Sequence, residues 1–296
     1  MKKFSGMYAA IPTPFASDGS ISRSSLTAVC ERILDTGMQG ILVCGSTGEY
    51  PLLTLEERRT AVKAVCEIVA GRAQVIAGCS CHNQAETIEM VEYAESCGAD
   101  MVLVVPPYYM QTTEEGIYEY YKSISDAIRG DMGLLVYNYP DAPNVRLSVE
   151  FICRLAGIPH VIGIKNTDTM DHTSKLIEAV KDLDGFGVVN GFEHLAMGTL
   201  CSGGDGAMGI IQGLAPQQMM DLYNALQAND LKKAMQINSM MRPLYTLMEK
   251  EPCPAPVKAA FAMLGIECGE PIRPLLPASE SLKQELRAEM QKVALL

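Results

Sequence analysis

The stretch Tyr8-Ala9-Ala10-Ile11-Pro12-Thr13-Pro14 decides between the two folds open to a chain of alternating strands and helices. Its short apolar run reads as a first strand. A doubly wound dinucleotide-binding sheet would place a glycine-rich turn directly after that strand. The turn here is Pro12-Thr13-Pro14, which offers no such cradle. A closed barrel asks for none.

Working outward, further apolar runs are bounded by turn residues near Gly40 to Cys44, Gln74 to Gly78, Met101 to Val105, Gly133 to Asn138, Val161 to Lys165, Gly187 to Asn190 and Gly206 to Gly209. Between them lie helical stripes. Leu26, Val29, Cys30, Ile33 and Leu34 form one, ended by Gly37. Val62, Val65, Cys66 and Val69 form another, opened by Thr54-x-x-Glu57 as a capping box and closed by Gly71. Ile117, Tyr120, Tyr121, Ile124 and Ile128 form a third, and Ser148, Asp171 and Pro216 read as later helix starts. Strand and helix repeated in this way over roughly 225 residues predict an α/β (β/α)8 TIM barrel. After about Ala228 the strand signals stop. Leu231 to Lys250, Val257 to Leu264 and Ser279 to Val293 read as helices with proline-rich joints. We therefore expect a barrel over 1–228 and a C-terminal helical domain over 229–296.

Composition narrows the function classes. With 24 Lys and Arg against 35 Asp and Glu the net charge is −11, which is not the footprint of a nucleic-acid or anionic-membrane binder. The longest apolar stretch, Met101 to Met110, is broken by Pro106-Pro107 and is far short of a membrane span. Lys2-Lys3 precedes only a short apolar segment that meets Pro12, so no secretory signal is expected. The ten cysteines are dispersed and form no CxxC pair, so reduced thiols and a cytoplasmic setting are expected. Cys79-Ser80-Cys81-His82 lacks the further ligands of a metal site, and neither a metal nor a cofactor is expected.

Side chains at the C-terminal ends of barrel strands face the active site. Val161-Ile162-Gly163-Ile164-Lys165 ends an apolar strand on a lysine. Burial there disfavours an ammonium and favours the neutral amine that attacks carbonyls, although a salt-bridged lysine with no covalent role fits the position too. Gly45-Ser46-Thr47-Gly48-Glu49 follows the second strand, where turned amides and two hydroxyls suit a small carboxylate; such turns are also common as plain structure. Tyr137-Asn138-Tyr139-Pro140 ends the fifth strand with a phenol placed to carry a proton or merely to pack. Pro106-Pro107-Tyr108-Tyr109 forms an aromatic corner that suits a barrel mouth or a subunit contact.

Together and in this order, these motifs resemble the dihydrodipicolinate synthase and N-acetylneuraminate lyase family of class I pyruvate aldolases, over essentially the whole chain. G-[ST]-T-G-E is Gly45 to Glu49, the tyrosine of Y-N-x-P is Tyr137, and the lysine of G-[IV]-K is Lys165. The resemblance implies a homotetrameric enzyme that needs no cofactor, because a keto acid forms a covalent imine on Lys165. It implies that Tyr137 carries protons, and that Ser46, Thr47 and the amides around Gly48 hold the keto-acid carboxylate. Ser46 would link Tyr137 into a hydroxyl relay, Tyr109 would be lent by a neighbouring subunit, and Met208 would line the pyruvate pocket through its carbonyl.

The second substrate is read from departures. Synthases of the family carry an arginine two residues after the proline of Y-N-x-P, which grips the carboxylate of aspartate semialdehyde; here that residue is Ala142. Arg146 is expected to be a surface charge. Thr167, two after Lys165, and Gly191-Phe192-Glu193-His194 resemble the hydroxyl-binding groups of lyases and sugar-acid aldolases, with Thr167, Gly191 and Glu193 toward the polyol tail. His194 and Ile210 depart from the sialic-acid lyases. The expectation is an aldolase acting on a 2-keto-3-deoxy sugar acid, with N-acetylneuraminate lyase and dihydrodipicolinate synthase as alternatives within the family. A non-catalytic sugar-acid binding protein is the alternative outside it.

Overall fold

A computed structural model describes residues 4–142 and 145–296. Lys2 and Lys3 lie outside them. The strands are β1 (Gly6–Ala10), β2 (Gly40–Val43), β3 (Gln74–Gly78), β4 (Met101–Val104), β5 (Gly133–Asn138), β6 (Val161–Asn166), β7 (Gly187–Asn190) and β8 (Gly206–Gly209). They follow one another in chain order around a closed barrel, and β1 with β2, like each neighbour from β3 to β8, pairs in parallel. Every strand residue except the half-buried Gln74 is buried, which explains runs that are apolar throughout rather than alternating.

Helices start where Thr54, Ser148 and Pro216 were expected to open them. Ser22, Asn83, Thr113, Ser148 and Ser279 each accept a hydrogen bond from the backbone N–H three residues on, and Thr54 and Glu57 complete a reciprocal capping box. The helix expected to start at Asp171 starts at Met170 instead, because the Thr169 side chain takes the capping position; Asp171 falls in the first turn, where its charge suits the helix dipole. After β8 the described residues are helical or irregular, with helices over Leu231–Met248, Ala255–Met263 and Glu280–Lys292 where three were expected. Among the described residues no helix is long and apolar enough to cross a membrane.

By internal contacts the chain falls into two compact units. The first joins the residues up to Gly6 to Gln74–Met208 and holds β3 to β8. Its floor is built from glycines: a Cβ on Gly187 would stand 2.0 Å from the Phe4 carbonyl oxygen, one on Gly206 1.8 Å from that of Gly6, and one on Gly163 2.6 Å from the Phe4 ring. Only glycine permits the backbone to pass so close. The second unit joins Met7–Ala73 to Gly209–Leu296. In it the helix Arg23–Leu34 packs on Leu55–Val69, and the helix Pro216–Gln227 packs on Leu231–Met248.

Candidate active site

In the first unit, parallel register brings Tyr137 of β5 beside Lys165 of β6, and Asn138 beside Asn166 beside Asn190 on the next rung. Lys165 is only 5% exposed, and its Nζ lies 4.5 Å from the centroid of the equally buried Tyr137 ring. Gly191 adjoins the lysine: a Cβ there would meet the Thr167 hydroxyl at 1.9 Å and Lys165 Cε at 2.9 Å. Thr167 Oγ1 is buried with no hydrogen-bond partner among the described residues. An unpaired buried hydroxyl is costly, and a ligand's polar group would satisfy it. Tyr137, Lys165, Thr167 and Gly191 thus surround one point with an amine, a ring face, a hydroxyl and a bare backbone.

Aromatic rings extend from there. Tyr139 stacks on Tyr137 at 5.8 Å between centroids, Phe192 meets Tyr139 edge-on at 6.3 Å, and His194 lies 5.3 Å from Phe192. Glu193 is buried in the short turn Glu193–Leu195. Met208 is wholly buried in β8. Tyr109 stands apart, 95% exposed and with φ of 70°.

One residue further along the strands lies a polar layer that no single motif above contains. Asn138 Nδ2 donates to Asn166 Oδ1 at 2.7 Å, and Asn166 Nδ2 donates to Thr173 Oγ1 at 3.0 Å. Asp168, with a side chain 1% exposed, accepts from Arg146 Nη1 at 2.9 Å and from the Thr169 amide at 2.7 Å. Arg146 is a surface residue, as expected, and its exposed side chain is ion-paired through Nη1 with this buried carboxylate. His172 Nε2 lies 3.0 Å from the Leu147 carbonyl, and Asn138 Oδ1 accepts from the Leu147 amide at 3.3 Å, so the chain leaving the β5 loop is tied down twice. The signal in sequence was an asparagine closing three consecutive strands, as Tyr-Asn, Lys-Asn and Val-Asn.

In the second unit, Ser46–Gly48 forms one 3-10 turn after β2. Thr47 is buried and Ser46 exposed. Gly48 packs against Thr13, whose hydroxyl donates to the Gly48 carbonyl at 2.7 Å. The amides that open such a turn have no partner within it, which suits an anion. None of the ten cysteines is in a disulfide; Cys79, buried, lies 3.6 Å through its sulfur from the Met90 carbonyl.

Comparison with known proteins bears directly on this arrangement. The model of the dihydrodipicolinate synthetase family matches residues 3–293. The 4-hydroxy-tetrahydrodipicolinate synthase of Anaeromyxobacter dehalogenans is 37% identical over 100% of this chain and 99% of its own. Among solved structures, the dihydrodipicolinate synthase of Thermotoga maritima superposes with a TM-score of 0.94 at 34% identity, covering both chains fully. A prophage protein of E. coli K12 from the same family, solved in complex with pyruvate, superposes with a TM-score of 0.94 at 28% identity over 99% of each chain. Enzymes of this family work through a lysine Schiff base with pyruvate and use no metal or cofactor. With the full-length match, the barrel and the buried strand-end lysine in agreement, the chain belongs to the dihydrodipicolinate synthetase family and is a class I pyruvate-dependent aldolase.

Proposed function

We propose that Lys165 is the imine-forming lysine and Tyr137 the proton carrier of this aldolase. The observation that carries the reading is the packing of Lys165 against the Tyr137 ring and Gly191 at the buried end of β6. The neutral Lys165 amine attacks C2 of pyruvate, and loss of water leaves the imine. Tyr137 gives its proton to the hydroxyl that leaves as water, recovers one from C3 as the enamine forms, and passes it to the aldehyde oxygen as C3 attacks the aldehyde carbon. Hydrolysis returns Lys165, and cleavage runs the same steps in reverse. Ser46, Thr47 and the amides that open their turn bind the pyruvate carboxylate, the Gly48 N–H being taken by the Gly45 carbonyl at 2.9 Å; Met208 lines the pocket through its carbonyl, and Tyr109 is lent to a neighbouring subunit of a homotetramer, a role its exposure supports. The assignments of 1–228 to the barrel and 229–296 to a helical domain, and of the protein to the cytoplasm, belong to the same proposal.

Borohydride reduction with pyruvate, followed by peptide mapping, is expected to place a stable adduct on Lys165. An adduct on another lysine, or none, removes the assignment and favours a non-catalytic binding protein.

For the second substrate, the comparisons support aspartate semialdehyde over the sugar acid expected from sequence, since the curated relative above is named a 4-hydroxy-tetrahydrodipicolinate synthase. Condensation of pyruvate with that semialdehyde is the first reading. A second reading rests on particular residues: Ala142 stands exposed where the synthases carry their arginine, Arg146 is ion-paired with Asp168, and Thr167 has a buried hydroxyl to offer. A semialdehyde carboxylate without its charge-assisted partner loses roughly 2 to 5 kcal/mol, whereas a hydroxylated aldehyde loses nothing there. The second reading is cleavage of a 2-keto-3-deoxy sugar acid, with Thr167 and Glu193 bonding the polyol. Side-by-side kcat/KM values decide: a faster condensation upholds the first reading, and faster pyruvate release from the sugar acid upholds the second.

A further inference from the structure

The turn after β2 is anchored from behind by groups with no part in the aldol steps. Glu49, the residue that closes the turn, has a fully buried side chain, and its Oε2 lies 2.7 Å from Nζ of Lys258, whose side chain is 2% exposed. Glu49 Oε1 accepts from the Ile272 amide at 2.6 Å. Lys258 also donates to the Glu270 carbonyl at 3.0 Å, and its Nζ sits 4.5 Å from the centroid of the Phe15 ring. Both carboxylate oxygens of Glu49 are thus taken by the protein, so this member of the Gly45 to Glu49 motif is not free to bind substrate.

Its backbone points to another task. Glu49 has φ of 59° and ψ of 29°, the left-handed region that favours glycine, while its N–H donates to the Ser46 carbonyl at 3.0 Å. A residue with a side chain persists in that conformation where its surroundings hold it. The holding groups here come from residues 258–272, more than two hundred positions along the chain. Thr13 holds the neighbouring Gly48 carbonyl. Ser46 and Thr47 therefore stand on a turn fixed on one side by Thr13 and on the other by the Glu49 carboxylate. A buried ion pair is a poor source of net stability but a strong constraint on geometry when each partner has further hydrogen bonds.

We propose that Glu49 and Lys258 are positioning residues for pyruvate: their buried pair fastens the Ser46–Gly48 turn to the 258–272 segment and sets the aim of the groups that take the keto-acid carboxylate. The inference rests on the reading of Ser46 and Thr47 given above. Because the carboxylate is held alike before and during reaction, misaiming the turn raises KM and leaves kcat nearly unchanged.

The test compares Glu49→Gln and the double variant Glu49→Gln/Lys258→Met, which leaves no buried charge unpaired and so guards against a simple failure to fold. Thr47→Val in the same assay checks the underlying reading. For Thr47→Val and for both Glu49 variants the KM for pyruvate is expected to rise about tenfold to a hundredfold, the worth of one charge-assisted hydrogen bond, with kcat within about threefold of the parent. Borohydride trapping at saturating pyruvate is expected to label the variants as fully as the parent, which a loss of folded protein would not allow. If Thr47→Val raises KM and the folded Glu49 variants do not, the positioning role is overturned and the reading of Thr47 stands. If Thr47→Val leaves KM unchanged, the carboxylate turn and the inference built on it both fall.

Discussion

Tyr137 and Gly191 make opposite kinds of contribution to Lys165, one by what it carries and the other by what it lacks. Tyr137→Phe keeps the ring over Nζ and removes the hydroxyl, so imine formation is expected to persist while turnover falls roughly a hundredfold or more. Unchanged turnover in stopped assays would reduce Tyr137 to packing. Gly191→Ala puts a methyl group where the Thr167 hydroxyl and Lys165 Cε already are. A displacement of about an ångström at the reacting amine is expected to cost about a hundredfold in kcat/KM, and the buried clash about 1 to 3 kcal/mol of stability. Parental kinetics in this variant would mean that Lys165 has room the structure denies it. Lys165, Tyr137 and Thr167 were legible in sequence because each breaks the character of its surroundings or matches a motif. Gly191 entered only as part of a family segment, since closeness of approach leaves no mark in a residue's identity.

At the scale of elements, the barrel strands announced themselves because burial on both faces demands unbroken apolar runs, and most helix starts because a capping oxygen has few alternatives. What stayed hidden was the pairing of Arg146 with Asp168 across 22 positions. Neither residue sits in an apolar run, and no local pattern ties the end of one loop to the start of another. Asp168→Asn removes the charge that holds Arg146 but keeps a carbonyl for the Thr169 amide. It is expected to cost about 1 to 3 kcal/mol in chemical denaturation, since a charged hydrogen bond is lost and Arg146 regains water. The loosened 145–147 segment is also expected to raise KM for the aldehyde partner several-fold while pyruvate KM holds. Equal changes in both KM values would place the effect on the whole site instead of on that loop.

For the molecule as a whole, acidity of the thiols is a property that only the folded chain sets. Burial pushes the Cys30 and Cys268 thiols up to about 12 and Cys44 up to about 11, from an ordinary 9.0. A raised folded value means that the native state keeps the proton longer than the unfolded chain. The stabilisation is therefore complete below pH 9 and fades as pH climbs toward 11 or 12. The melting temperature is expected to fall steadily above pH 9 through these three sites, and replacing them with alanine or valine should flatten that fall. At pH 8 a thiol reagent is expected to label the exposed Cys201 at once and to spare Cys30, Cys44 and Cys268 until denaturant is added. Immediate labelling of all ten would contradict the burial on which the argument rests.

The glycine floor under the first unit also sets a timetable for synthesis. Phe4 is fully buried, yet every glycine that makes its seat lies far behind it in the chain, Gly163 and Gly187 among them, while Gly6 waits for Gly206. At roughly 5 to 20 residues per second, a ribosome delivers Phe4 and Gly6 some ten to forty seconds before their berths exist. Through that interval the leading segment is an apolar thread without a home, open to chaperones and proteases. Ribosome-stalled chains ending before Gly187 should accordingly be clipped near Phe4, and chains long enough to expose Gly206 beyond the exit tunnel should not.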